Sequence, residues 1–112
     1  REFGKQALEQ LFSRAKRSTA SFAAGDVLVV GVMCGLRARG RDAPDALSLV
    51  DINAATFADF TLPRISTIRV PARELGRTAV EILLRTLSDD LPVPAETRLP
   101  VEWVARDSIQ IC

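Results

Sequence analysis

A chain of 112 residues, 47% hydrophobic and 26% charged, is one small globular domain or part of one rather than a disordered segment. Its formal net charge of +1 gives no general field for drawing in nucleic acid or an anionic membrane. With no His, no Tyr and only two cysteines, Cys34 and Cys112, it excludes Cys–His zinc sites, histidine bases and a disulfide framework within the chain.

Residues Lys5–Lys16 predict an amphipathic helix, with Ala7, Leu8, Leu11, Phe12 and Ala15 recurring at spacings of three and four. A short link leads to Thr19–Ala24, small and apolar residues that suit a buried strand. Gly25 breaks that strand. Asp26 then stands where a helix N-cap belongs, its carboxylate able to accept from the free N–H groups of the first turn. The next helix runs from Val27 to Arg39 and stops at Gly40, a left-handed cap. It is apolar on two faces, Val27, Val30 and Cys34 on one and Leu28, Val32 and Leu36 on the other, which predicts burial on both. Gly31 and Gly35 share a face and permit a close backbone approach. The apolar run Val27–Leu36 is far short of the roughly 20 residues that a bilayer requires. Arg37, Arg39 and Arg41 read as a solvated helix end, where cations favour the dipole.

After the turn Ala43-Pro44-Asp45, Ala46–Val50 predicts a second buried strand that ends in Asp51-Ile52-Asn53. If the two strands are parallel, a right-handed crossover through the helix joins them. Their C-terminal ends then share an edge, where Asp26 and the Asp51–Asn53 turn converge and where open α/β sheets bind ligands. Residues Ala54–Phe57 suggest a single helical turn, and the loop with Phe57, Phe60 and Leu62 suggests burial on the core or on a partner. A third strand is expected over Ile65–Val70, ended by Pro71. A helix over Ala72–Leu87 follows, with an apolar face of Leu75, Ala79, Ile82, Leu83 and Leu87. Its outer row offers an i,i+4 pair from Glu81 to Arg85, and Gly76 in its interior suggests close packing. Asp89–Pro94 forms a rigid polar linker, and Arg98–Arg106 predicts the last strand.

The catalytic motifs are missing: no phosphate-binding G-x-x-x-x-G-K-[ST], no G-x-G-x-x-G and no G-x-S-x-G elbow. No cofactor or metal is expected. Asp26 and Asp51 could serve as an acid–base pair in a small α/β enzyme. Each has a cheaper role, Asp26 as a cap and Asp51 as a turn residue. No helix–turn–helix is present to read DNA.

The order of pieces carries more than any one of them. Gly25-Asp26, Gly31, Gly40 with Pro44, Ser48-Leu49-Val50, Pro63 through Ile68, Leu75-Gly76-Arg77-Thr78-Ala79-Val80-Glu81-Ile82-Leu83-Leu84 and Leu99-Pro100 through Val104-Ala105-Arg106-Asp107-Ser108 cover nearly the whole chain. With these pieces in this order, the chain resembles the C-terminal part of a LacI/GalR-family transcriptional regulator. The resemblance implies a two-lobed, periplasmic-binding-protein-like (type I) effector domain, α/β with a doubly wound, mainly parallel sheet, of which this is the C-terminal portion. It assigns residues 1–68 to the C-terminal lobe, 69–96 to the N-terminal lobe, and 97–112 to a return strand and tail. The DNA-binding headpiece would precede Arg1.

By the same resemblance, a small-molecule effector, a sugar or a nucleobase-like metabolite, meets the strand ends at Gly25, Asp26, Asp51 and Asn53. The family's Gly-aromatic-Asp turn is here Asp51-Ile52-Asn53, so Asn53 stands in the ligand-contacting place. An Asn still donates and accepts but cannot pair with a cation. Val27, Val30, Cys34, Phe60, Thr61 and Leu62 match the family's homodimer surface. The implied protein is cytoplasmic, not an enzyme and not membrane-bound, and it reaches operator DNA only through the headpiece. The alternative with the same fold is a periplasmic solute-binding protein of a transporter. Sheet edges around Ile65–Val70 are expected to lack partners in this chain, covered by a second chain or left exposed.

Overall fold

The computed structural model describes residues 2–13, 18–53, 57–88 and 92–111. The elements run α1 (Glu2–Ser13), β1 (Ala20–Ala23), α2 (Asp26–Arg37), β2 (Ser48–Ile52), β3 (Ser66–Arg69), α3 (Ala72–Ser88) and β4 (Glu102–Val104). The chain divides into two compact units, Arg1–Arg69 with Glu102–Cys112, and Val70–Val101.

In the first unit the strands lie in the order β1-β2-β3-β4, with β1, β2 and β3 parallel and β4 antiparallel to β3. This is the mainly parallel α/β sheet that the family resemblance implies. Ala23, Leu49, Asp51, Ile65 and Thr67 are buried on the face that α2 covers with Val29, Val32, Met33 and Leu36. The register puts Phe22, Val50, Ile52, Ile68 and Trp103 together on the opposite face, where Phe22 is 54% and Trp103 50% exposed.

The helix α1 packs on α2 through its glycines. A β-carbon on Gly4 would lie 2.5 Å from the Leu28 carbonyl oxygen and 2.6 Å from the Gly31 Cα, and one on Gly35 would lie 2.7 Å from Leu8 Cδ2. The two backbones therefore touch, as the Gly31/Gly35 spacing anticipates. The helix starts earlier than its apolar pattern suggests, at Glu2, and Ala7 is exposed while Leu8 is fully buried. Ala15 and Lys16 lie outside the described residues, as do residues 54–56 of the expected helical turn.

Two expectations about the sheet are corrected. The strand β3 is not an unpaired edge: it is hydrogen-bonded to β2 on one side and β4 on the other. Its second partner arrives from about 35 residues downstream, beyond the reach of local pattern. The final strand is only Glu102–Val104, short of the Arg98–Arg106 run, since Pro100 has no N–H for a ladder.

The tail after β4 locks β2 to β3. Ser108 is fully buried; its Oγ donates to the Leu49 carbonyl (2.6 Å) and accepts from the Ser66 N–H (2.8 Å). The Ser66 hydroxyl in turn accepts from the Arg106 N–H at 2.9 Å. The Arg106 side chain is nearly buried, pairs with Asp59 at 2.8 Å and donates to the Ile65 carbonyl at 2.9 Å. Arg64 grips Asp107 at 2.8 Å on the surface, and this hydrogen bond holds the Asp107 carboxyl below its ordinary range.

In the second unit, α3 has no buried residue among those described, and Leu75, Val80, Leu83, Leu84 and Leu87 are all exposed. Glu81 pairs back to Arg77 at 2.9 Å rather than forward to Arg85. Gly76 is exposed and a β-carbon there would meet nothing within 4 Å, so it is not the close-packing position its sequence context suggests. Gly76→Ala is therefore expected to stabilise α3 by about 1 kcal/mol, read as a higher helix melting temperature by circular dichroism. A lower one would mean that this face of the helix is covered.

Candidate functional site

The parallel pairing of β1 and β2 brings Ala23 level with Asp51 and puts both strand ends at one edge. Gly25 turns the corner between β1 and α2 at φ +127°, a conformation that only glycine adopts without strain. Its carbonyl accepts from the N–H groups of Leu28 (3.0 Å) and Val29 (3.2 Å), so Gly25 itself is the N-cap. Asp26 is the first residue inside the helix rather than its cap. Glycine wins the position because the turn demands a positive φ there, and no side chain caps this end. Asp26 still favours the helix dipole from the first turn.

Asp51 is not a turn residue but part of β2, on the inward face beside Leu49, and it is fully buried. Its Oδ1 accepts from the Gly25 N–H at 3.0 Å, tying β2 to the corner. Its Oδ2 has no hydrogen-bond partner among the described residues. Burial pushes the Asp51 carboxyl above its ordinary range; the N–H groups of Gly25 and Ile52 pull it back, and the charge and carboxyl of Asp26 push it further up. Asn53 follows at φ +69°, which Asn tolerates better than most residues, and its N–H donates to the Ile68 carbonyl at 2.8 Å. The Asn53 side chain is exposed and makes no hydrogen bond to another described residue.

A groove of about 430 Å³ opens along this edge, lined by Ala24, Gly25, Asp26, Val27, Leu28, Ile52 and Asn53. The structure thus brings Gly25, Asp26 and Asn53 together at the groove, with Asp51 behind Gly25. A larger hollow of about 670 Å³ lies along Pro71, Ala72, Arg73, Glu74 and Arg77. All of its lining belongs to the start of one helix, so no groups from different elements converge there. No cluster of three or more His, Cys, Asp or Glu suited to a metal occurs among the described residues.

The same edge holds a pair that the sequence did not point to. Arg69 ends β3, and its Nη1 donates to the Glu102 carboxylate at 3.0 Å on the antiparallel β4. The pair bridges the two strands where the chain leaves the sheet and where it returns. Only the antiparallel register of Arg69 with Glu102 reveals it.

The surface residues expected at a dimer contact fall on α2 and on the connection between β2 and β3. Val27, Phe60 and Leu62 are 65%, 86% and 77% exposed, while Val30, Cys34 and Thr61 are half-buried. Arg37 of α2 donates to the Leu62 carbonyl and holds the loop against the helix. The other side of α2, with Val29, Val32, Met33 and Leu36, is buried in the core. Within this chain, then, only one of the two apolar faces of α2 is fully used.

The sequence pattern of the periplasmic binding protein-like domain matches residues 1–109. The chain belongs to that family. It is 29% identical over 108 residues to the HTH-type transcriptional repressor PurR of Escherichia coli O1:K1 / APEC, covering 96% of this chain and 32% of PurR. Among solved structures it is similar to a LacI family transcriptional regulator from Enterococcus faecium with bound ribose, at 30% identity and a TM-score of 0.82, covering 96% of this chain and 40% of that one. It is also similar to the lac repressor dimer bound to operator and the anti-inducer ONPF, at 27% identity and a TM-score of 0.86, covering 98% of this chain and 38% of that one. The chain therefore corresponds to part of the effector domain of LacI-type regulators and spans about a third of the curated relatives it matches. These relatives are transcriptional regulators rather than enzymes. No described helix is long and apolar enough to cross a membrane.

Proposed function

We propose that this chain is the effector-sensing and dimerisation portion of a cytoplasmic LacI-type transcriptional regulator, without catalytic activity of its own. A sugar or nucleobase-like metabolite docks at the strand-end edge, against Gly25, Asp26 and Asn53, with Asp51 supporting the corner from behind. The observation that carries this reading is the groove where the ends of two parallel strands and a helix N-terminus converge. The likeness to a ribose-bound LacI-family regulator supports it. Residues 1–68 and 97–112 belong to the C-terminal lobe and residues 69–96 to the N-terminal lobe, a division supported by the compact units within the chain. Effector binding shifts the population between two lobe arrangements and so the operator affinity of a headpiece outside this chain. The exposed Val27, with Val30 and Cys34 beside it, and the Phe60–Leu62 loop supply the homodimer contact.

The test is a thermal-shift screen of sugars and nucleobases on the full-length protein, since a ligand that binds the native state raises its melting temperature. Asn53→Ala is expected to weaken the best hit about tenfold, the value of one lost polar contact. Unchanged affinity would remove Asn53 from the site. If the full-length protein carries a secretion signal rather than a helix–turn–helix, the reading fails in favour of a transporter's solute-binding protein.

A further inference from the structure

Among the described residues Asp51 makes one side-chain hydrogen bond with its two oxygens, and the Ile52 N–H also favours its anion. Its Oδ1 takes the Gly25 N–H, and its Oδ2 is buried without a partner among the described residues. An ionised carboxylate has only acceptors, so as an anion it would leave Oδ2 an orphan inside the fold. The charged group that bears on it is another acid, Asp26, from the first turn of α2. On β1 its neighbour in register is Ala23, and on β3 it is Thr67, whose hydroxyl is directed to the Ile68 carbonyl at 3.5 Å. The arginines on the packed elements are engaged elsewhere, Arg37 with Asp42 and the Leu62 carbonyl, and Arg69 with Glu102. Among the described residues, then, no cation neutralises the pair, and two anions side by side repel.

We propose that Asp51 is protonated in the folded protein and that its Oδ2–H donates to the Asp26 carboxylate, so that the corner carries one negative charge instead of two. One proton removes both the orphan oxygen and the repulsion. Asp51 is then a two-point clip from β2: Oδ1 holds the Gly25 N–H and Oδ2–H holds Asp26. It is a positioning residue, since it acts through Asp26, which lines the groove, and does not line the groove itself. The upward push of burial on its carboxyl acts in the same direction. Loss of the proton opens the clip, which makes the geometry of the corner depend on pH. Its bearing on effector affinity rests on the function proposed above, but the shared proton does not.

The test compares the full-length wild-type protein with Asp51→Asn and Asp51→Ala in thermal unfolding between about pH 4 and pH 8. A carboxyl whose folded value is raised stabilises the fold while protonated and loses that contribution as pH rises through the folded value. Asn copies the protonated acid: its oxygen accepts from Gly25 and its amide donates to Asp26. The wild type is expected to lose melting temperature as pH rises, relative to Asp51→Asn, which lacks that slope. At neutral pH the Asn variant should melt about 5 °C higher. Asp51→Ala, with neither contact, should fall below Asn at every pH. The other carboxyls are common to all three proteins, so the difference isolates position 51. An Asn variant with the same slope as wild type, or no gain at neutral pH, overturns the proposal. If the Ala variant fails to fold, the Asn comparison still decides. No ligand enters this experiment, so its outcome is independent of the effector screen.

Discussion

Ser108→Ala is expected to cost about 3 kcal/mol of stability, measured as a lower denaturation midpoint with an unchanged slope. The single hydroxyl satisfies two buried backbone groups on different strands, the Leu49 carbonyl at 2.6 Å and the Ser66 N–H at 2.8 Å. Alanine would leave both without partners, in a site with no exposure to water. Such orphans cost more than the net value of the bonds they lose, roughly 1–3 kcal/mol each. Cysteine in place of serine should recover little, because a thiol is a weak donor and acceptor. The backbone bond from the Leu49 N–H to the Ser108 carbonyl, at 2.8 Å, survives the change, so the tail should remain seated. A loss below about 1 kcal/mol would mean that water replaces the hydroxyl.

Gly4→Ala is expected to cost about 2 kcal/mol, and Gly35→Ala close to nothing. Both gain roughly 1 kcal/mol of intrinsic helix propensity. They differ in what the new methyl meets. At Gly4 the obstacle is backbone, the Leu28 carbonyl and the Gly31 Cα, so α1 and α2 must move apart, an overpacking cost of about 3 kcal/mol. At Gly35 the nearest atom is the end of the Leu8 side chain, which can rotate. Equal effects in a chemical denaturation series would show that the two helices are not locked through their backbones.

Much of the frame is legible in the amino-acid sequence. Small apolar strands, a Gly-Asp corner and a two-faced helix describe one strand–helix–strand unit, and the parallel pairing of β1 with β2 makes that unit real. Local pattern carries such units because their contacts are close in sequence. It fails where the deciding contact is distant or where two residues compete. The second partner of β3 returns only at Glu102, after the whole of α3. Gly25 and Asp26 both suit a cap, and the positive φ settles the choice for glycine. Asp51 reads as a turn residue because it is polar, yet its spacing of two from Leu49 puts it on the buried face. The clasp at Ser108 shows in the sequence only as one piece of a family pattern. Its physical role needs the fold, since nothing local joins Ser108 to Leu49.

Trp103 is the only tryptophan in the chain, and there is no tyrosine. It stands half exposed beside Ile68 on the sheet face that α2 does not cover. The chain therefore carries a single indole fluorophore, on a half-exposed sheet face. Emission excited at the red edge reports on that face alone: a blue shift marks anything that shields it, and a red shift marks the unpairing of β4. Docking on the open face and loss of the last strand can be told apart in the same cuvette, without a label.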